Sequence, residues 1–215
     1  MGTVLDHLRR IAASLAAGQD ADIGCAALVE TWASADVEAG SESGAAFETA
    51  VGVGNDDLAG FARDHLPEID KQAWSYLDGV LQGDYDALQE LIRQVPITAE
   101  VRLLRKTGAN TVEKICIGRG RRNDVIILDE AVSTIHAQID PLDDERARIV
   151  DCKSSNGTYV NNDRLEPHEP RELASGDSVR VGRHLMYYLG RDTLRLFLKL
   201  RLAEALRTYG PLDED

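Results

Sequence analysis

The 215-residue chain carries 24 Lys and Arg against 37 Asp and Glu, a formal net charge of −13. That excess argues against a nucleic-acid partner held on a broad basic face, and against a polybasic membrane anchor, because both depend on cations that neutralise phosphates. Hydrophobic residues make up 43% of the chain, enough for a packed core rather than wholesale disorder. The three cysteines, Cys25, Cys116 and Cys152, are scattered and lack CxxC spacing, so reduced thiols are expected rather than a disulfide framework or a zinc module. The five histidines show no metal-ligand spacing either. Arg9 and Arg10 interrupt the apolar stretch near the start, no secretion signal is evident, and no run of 18 apolar residues occurs, so a cytoplasmic protein is expected.

The charge is unevenly divided. Residues 1–96 hold 17 acidic and 5 basic side chains, whereas residues 97–215 hold 20 and 19. Composition changes at the same place, near Pro96, from Ala, Leu, Asp and Glu to Val, Ile, Thr, Gly and Asn. The expected organisation is α+β and multidomain: an acidic all-α domain at 1–96, an antiparallel β-sandwich at 97–190, and a C-terminal helix and tail at 191–215.

Within the first part, Val4, Leu5, Leu8, Ile11, Ala12 and Leu15 recur at helical spacing, and Gly18 follows as a stop. Cys25, Leu28, Val29 and Trp32 predict a second helix. Asn55 is a candidate cap for a third, with Leu58, Phe61, Ala62 and His65 on one face and an end near Pro67. Residues 39–54 are rich in Gly and Ser and read as a loop or a weak helix. Ala73, Trp74, Leu77, Val80 and Leu81 make a fourth helix; Asp84 caps a fifth through Leu88, Leu91, Ile92 and Val95. The 34-residue signature of a tetratricopeptide repeat is absent.

The second part changes period. Short strands are predicted at Val101–Leu104, Ile115–Ile117, Val125–Leu128, Ile135–Ile139, Ala147–Val150, Thr158–Val160, Ser178–Val181 and Leu185–Leu189, separated by turn residues such as Asn156-Gly157 and Ser175-Gly176-Asp177. Many short strands with frequent turns indicate a sandwich. After Gly190, leucines alternate with charged residues as in a strand. Asp192 as N-cap, the helix formers Ala203–Leu206 and the stop Gly210-Pro211 nevertheless favour a helix.

The chemistry-bearing constellation lies within 117–161: Ile117-Gly118-Arg119, Asn123-Asp124, Ser133-Thr134-Ile135-His136-Ala137, and Ser154-Ser155-Asn156-Gly157-Thr158-Tyr159-Val160-Asn161. An arginine at a strand end offers a planar fork of donors to phosphate. Serine hydroxyls and a loop backbone N–H add further bonds, each contributing about 1.5–3 kcal/mol when the acceptor is charged. No nucleophile or general base accompanies them, so no enzyme is expected. Gly118-Arg119-Gly120 lacks both the third glycine of a dinucleotide fingerprint and the Gly-Lys-Ser/Thr of a P-loop, and no cofactor is called for.

Taken in order, four blocks, Gly118-Arg119, Ser133-Thr134-Ile135-His136, Ser155-Asn156-Gly157-Thr158 with Val160-Asn161, and Leu173…Gly176-Asp177…Val181-Gly182, resemble a bacterial-type forkhead-associated (FHA) domain over roughly residues 97–190; the helical domain before it resembles no recognised family. The resemblance implies that Arg119 contacts a phosphopeptide, Ser133 its phosphate, Thr134 the phosphate through its backbone N–H, Ser155 the phosphate again, and Asn156 the peptide main chain. Thr134 stands where the family often has a basic residue. Gly118, His136 and Gly157 are implied to be architectural, and Arg121 and Arg122 extend the cationic spot. The family prefers phosphothreonine, so the expected function is a phosphothreonine-peptide adaptor downstream of a Ser/Thr kinase. Its partners are then a Thr-phosphorylated protein and a kinase, not nucleic acid or membrane. The alternative is a phosphate-independent assembly module in which the sandwich docks a partner and the Leu-rich tail drives homo-oligomerisation. A further option is self-recognition through phosphorylated Thr31 or Thr49.

Overall fold

A computed structural model describes residues 2–19, 23–31 and 60–209. These fall into two compact units. The first gathers 24–31 and 101–194; the second holds 2–19, 23, 60–100 and 195–209.

The second unit is helical, as its composition predicts. A two-residue strand, β1 (Gly2–Thr3), leads into α1 (Val4–Ala16). Thr3 caps it reciprocally: its hydroxyl accepts from Asp6 N–H, and the Asp6 carboxylate accepts from Thr3 N–H. Gly18, at φ +70°, follows the end of the helix, as expected. Residues 60–65 are helical, and a 3-10 turn over Leu66–Glu68 takes up Pro67. Next come α2 (Lys71–Leu81), capped by Asp70 on Ala73 N–H, and α3 (Asp86–Gln94). The expected Asp84 cap is not formed; Tyr85 occupies the cap position of α3 without a side-chain bond. Asn55, Leu58 and the stretch 39–54 lie outside the described residues.

His7 on α1 is buried, and Arg10 Nη2 sits 3.0 Å from its Nδ1. Burial, reinforced by the Arg10 charge, pushes its pKa down to about 4. A depressed histidine contributes stability above its unfolded value near 6.5, and that stability is lost as pH falls toward 4. Urea unfolding at pH 7, 5 and 4 is expected to show an acid loss on the order of 3 kcal/mol that His7→Gln removes.

The first unit is the sandwich. Its strands are β2 (Ala27–Glu30), β3 (Glu100–Leu103), β4 (Ile115–Gly118), β5 (Val125–Ile126), β6 (Ala137–Pro141), β7 (Arg146–Asp151), β8 (Thr158–Val160), β9 (Asp163–Arg164), β10 (Pro170–Ala174), β11 (Ser178–Val181) and β12 (His184–Leu189). One sheet runs β3-β2-β12-β11-β8-β9 and the other β10-β7-β6-β4-β5. Pairing within the sandwich is antiparallel except for β4 with β5. Alternate residues point inward. Ile117, Ile139, Ile149 and Leu173 from one sheet meet Leu28, Val160, Val179, Met186 and Tyr188 from the other in one core.

Two expectations are corrected. Residues 27–30 form a central strand of the sandwich, not part of a second helix, pairing with β12 and β3 (Leu28↔Tyr188, Leu28↔Arg102). Ala27, Leu28 and Val29 are all fully buried, and a continuous apolar run covered on both faces is compatible with either period. The compact units accordingly do not follow the limits 1–96, 97–190 and 191–215: 24–31 belong with the sandwich, and 195–209 with the helices.

The tail is a helix, α4 (Arg191–Tyr209), as favoured. Asp192 is not its cap. Leu194 N–H bonds to Gly190 O, while the Glu145 carboxylate accepts from the N–H groups of Asp192 and Thr193 and from the Thr193 hydroxyl. The acidic turn Asp143-Asp144-Glu145 is thereby tied to the start of α4. The alternation of leucine with charge is accommodated by burying almost every side. Leu194, Leu198, Leu200 and Leu202 are buried, and so are Lys199 and Arg201, whose charged heads reach the Tyr76 hydroxyl (2.7 Å) and the Val95 carbonyl (3.1 Å). The Gly210-Pro211 stop lies outside the described residues. Among the described residues no helix is long and apolar enough to cross a membrane.

Candidate functional site

Three loops of the sandwich are knitted together by hydrogen bonds: 119–124 after β4, 127–136 between β5 and β6, and 152–157 between β7 and β8. The first lies directly against the second. Arg119 N–H donates to Ser133 O (3.0 Å) and Gly120 N–H to Thr134 O (3.1 Å), while Asn123 Nδ2 donates to both Gly120 O and Thr134 O (2.7 Å each). This approach is why residue 118 is glycine: a Cβ there would stand 2.5 Å from Thr134 O and 2.9 Å from Ser133 O. Gly118→Ala is expected to destabilise the sandwich by about 1–3 kcal/mol, the usual cost of overpacking. It is also expected to displace the amide resonances of Ser133 and Thr134, read by urea unfolding and two-dimensional NMR.

The second and third loops are braced by His136, which is fully buried. Its Nδ1 accepts from Ser133 N–H (3.0 Å), so the ring proton resides on Nε2, facing Gly157 O at 3.2 Å. Burial pushes its pKa down, which keeps the ring neutral. Gly157 holds φ +79°, as its turn position predicts. Ser133 Oγ accepts from Ser155 N–H (3.0 Å), and the two hydroxyl oxygens lie 3.5 Å apart. Asn156 Nδ2 donates to Ala131 O (2.8 Å). The expected site residues Ser133, Ser155 and Asn156 thus come together, and Arg119 joins them through its backbone bond to Ser133. Arg121 and Arg122 lie on the turn closed by Asn123 N–H to Gly120 O, with no direct bond to the serines.

Two carboxylates hold the loops from beneath. Asp151 is buried and accepts from Ser154 Oγ, Thr158 Oγ1 (2.6 Å each) and Ser154 N–H (3.0 Å). Asp124 accepts from Lys106 Nζ (2.6 Å), Thr107 N–H, Asn110 Nδ2 and Cys116 N–H. Burial pushes both carboxyls up, but the donors outweigh it and keep both ionised. Asp124 was visible in the motif; Asp151 was not, and its partners follow three and seven residues later, in the loop and at the start of β8.

What the loops leave outward is a set of donors. The side chains of Arg119, Arg121 and Arg122 are exposed and make no hydrogen bond or ion pair among the described residues. Thr134 is exposed, and its N–H is likewise unengaged there. Lys153, exposed and at φ +59°, is a further cation on the loop of Ser155. An exposed guanidinium, two hydroxyls and an open N–H can bind a tetrahedral anion. Among the described residues no group of three or more His, Cys, Asp or Glu is placed to hold a metal ion.

Residues 115–182 match the profile of the FHA domain. The glycogen accumulation regulator GarA of Mycolicibacterium smegmatis is 29% identical over 136 residues, 60% of this chain and 78% of that protein. The oxoglutarate dehydrogenase inhibitor of Corynebacterium diphtheriae is 36% identical over 72 residues, 34% of this chain and 48% of the other. A solved structure from a study of phosphothreonine-dependent FHA domain interactions is 30% identical, with a TM-score of 0.35 over 42% of this chain and 83% of that one.

Proposed function

The chain carries a forkhead-associated domain at residues 115–182, and from that premise we propose that it is a non-enzymatic reader of phosphothreonine peptides, acting downstream of a Ser/Thr kinase. The observation that carries this reading is the set of outward donors on loops braced to one another by hydrogen bonds. Arg119, the Ser133 and Ser155 hydroxyls and the Thr134 N–H are the phosphate ligands. Asn156 reads the peptide main chain with the carboxamide oxygen left over once its Nδ2 is bonded to Ala131 O. Thr134 supplies no charge, so the positive charge at the phosphate comes from Arg119, with Arg121, Arg122 and Lys153 attracting acidic residues beside it. GarA is named as a regulator of glycogen accumulation and the corynebacterial protein as an inhibitor of oxoglutarate dehydrogenase, which supports a regulatory task for this chain.

Calorimetric titration with a library of phosphothreonine, phosphoserine and unphosphorylated peptides tests the reading. Tight binding confined to phosphothreonine members is expected; equal binding of phosphorylated and unphosphorylated twins would overturn it.

The assembly alternative has less behind it. Leu194, Leu198, Leu200 and Leu202 of α4, which would drive association, are buried within the protein itself. Self-recognition through Thr31 is also weakened, since that residue is buried; Thr49 lies outside the described residues.

A further inference from the structure

Behind the 129–133 turn lies a cluster of ionised groups that the sequence motifs did not single out. Glu30 Oε1 on β2 faces Arg102 Nη2 of β3 at 2.9 Å and His184 Nδ1 of β12 at 3.1 Å. The other ring nitrogen of His184, Nε2, lies 3.0 Å from Asp129 Oδ2, to which Arg183 Nε also donates at 2.5 Å. Arg102 donates as well to Ile126 O. The side chains of Arg102 and Asp129 are almost wholly buried, those of Glu30 and His184 largely so, and that of Arg183 is exposed. Ionised carboxylates only accept, so both nitrogens of His184 must carry protons to satisfy Glu30 and Asp129 together.

From Asp129 the bonds continue into the candidate site. Its Oδ1 accepts from Ala131 N–H (2.7 Å) and its backbone carbonyl from Val132 N–H (3.0 Å). Ala131 O accepts from Asn156 Nδ2 (2.8 Å). A continuous path of hydrogen bonds thus runs His184–Asp129–Ala131–Asn156, ending on the carboxamide assigned to the peptide main chain.

We infer that His184 is a positioning residue for the phosphopeptide site: through Asp129 it holds the 129–131 turn in the shape that fixes the Asn156 carboxamide. This rests on the phosphopeptide reading given above. A neutral ring has a single N–H, so loss of one proton leaves Glu30 or Asp129 facing a lone pair, and the turn loses part of its anchor. The charged groups facing the ring are Glu30 from β2 and Asp129 from the turn after β5, with Arg102 and Arg183 behind them. The bond to Glu30, opposed by burial and aided by Asp129, raises the pKa of His184 above the ordinary histidine value. The anchor is therefore complete below about pH 6.5 and is lost as pH rises through the raised value. Phosphothreonine is already doubly ionised above its second pKa near 6, so a fall in affinity at higher pH reports on the protein.

The test has two arms on the full chain. In the first, the Asn156 side-chain amide resonances of the peptide-free wild type are followed by NMR from pH 6 to 9 beside the His184 ring signals. They are expected to move with the same midpoint, and amide signals indifferent to that titration would overturn the inference whatever the peptide does. In the second, affinity for a phosphothreonine peptide is measured from pH 7 to 9. The wild type is expected to lose about fivefold, within the usual span of coupled sites, and His184→Gln and Asp129→Asn to give flat profiles. Wild-type slopes retained in both variants would overturn the inference. Absence of any phosphopeptide binding by the wild type would overturn the functional reading instead, with the first arm still deciding the coupling.

Discussion

Replacing Arg119 by alanine is expected to weaken phosphothreonine-peptide binding by about 10- to 100-fold and to leave the unfolding midpoint unchanged. The two halves of that result have separate causes. Charge-assisted bonds to phosphate contribute about 1.5–3 kcal/mol each, and 1.4 kcal/mol is a factor of ten in affinity. The side chain itself is exposed and unengaged among the described residues, so its removal costs the fold nothing; only its backbone N–H is structural, bonded to Ser133 O, and alanine keeps that bond. Arg119→Lys is expected to recover part of the loss, since it restores charge without the planar fork. Calorimetry with one phosphopeptide, beside urea unfolding of each variant, separates binding from stability. Unchanged affinity in Arg119→Ala would remove this residue from the site.

His136→Ala is expected to behave in the opposite way, costing roughly 3 kcal/mol or more of stability and taking binding with it. The ring is fully buried, and its loss leaves Ser133 N–H and Gly157 O without partners as well as a cavity. Each unsatisfied buried group costs about 1–3 kcal/mol, and the cavity adds to that. For a domain stable by about 5–15 kcal/mol the loss is large. The pH dependence carries the same signature. The pKa of His136 is depressed by burial, so its contribution is intact above about pH 6.5 and falls as pH drops below that, when the unfolded chain takes up a proton that the folded one refuses. His184 has the reverse sign, weakening the sandwich as pH rises. Maximum stability of this unit is expected near neutrality, and His136→Gln is expected to flatten the acid side of the urea-unfolding profile.

Gly118-Arg119, Ser133 to His136 and Ser155 to Gly157 were legible as short polar blocks, each a pattern within a few residues. The bonds that join one block to another, Ser155 N–H to Ser133 Oγ and His136 Nε2 with Gly157 O, span more than twenty residues and were not. The inward strands were legible from their alternation. What escaped was set by distant partners. Ala27-Leu28-Val29 fits a helical period and becomes a strand only because β12 and β3 flank it. Asp163–Arg164 and Pro170–Ala174 were missed as strands: four of the five residues of the latter are exposed, and an edge strand opened by proline has little apolar alternation to read. Glu145 carries no signal in its own neighbourhood, yet it anchors the start of α4, 46 residues on at Arg191. His184 stood as one of five unremarkable histidines until Glu30 and Asp129 were placed on either side of it.

The overall charge of −13 takes on a different meaning in this light. Unengaged arginines 119, 121 and 122 concentrate positive charge on the outward side of loops within an acidic chain, a setting suited to one phosphate and hostile to a polyanion. Amide chemical-shift mapping with a phosphothreonine peptide and its unphosphorylated twin tests this most directly. The phosphorylated peptide is expected to shift Arg119, Ser133, Thr134, Ser155 and Asn156 together, and the unphosphorylated one to leave them unmoved. Shifts centred on other residues, or the same shifts with both peptides, would contradict it.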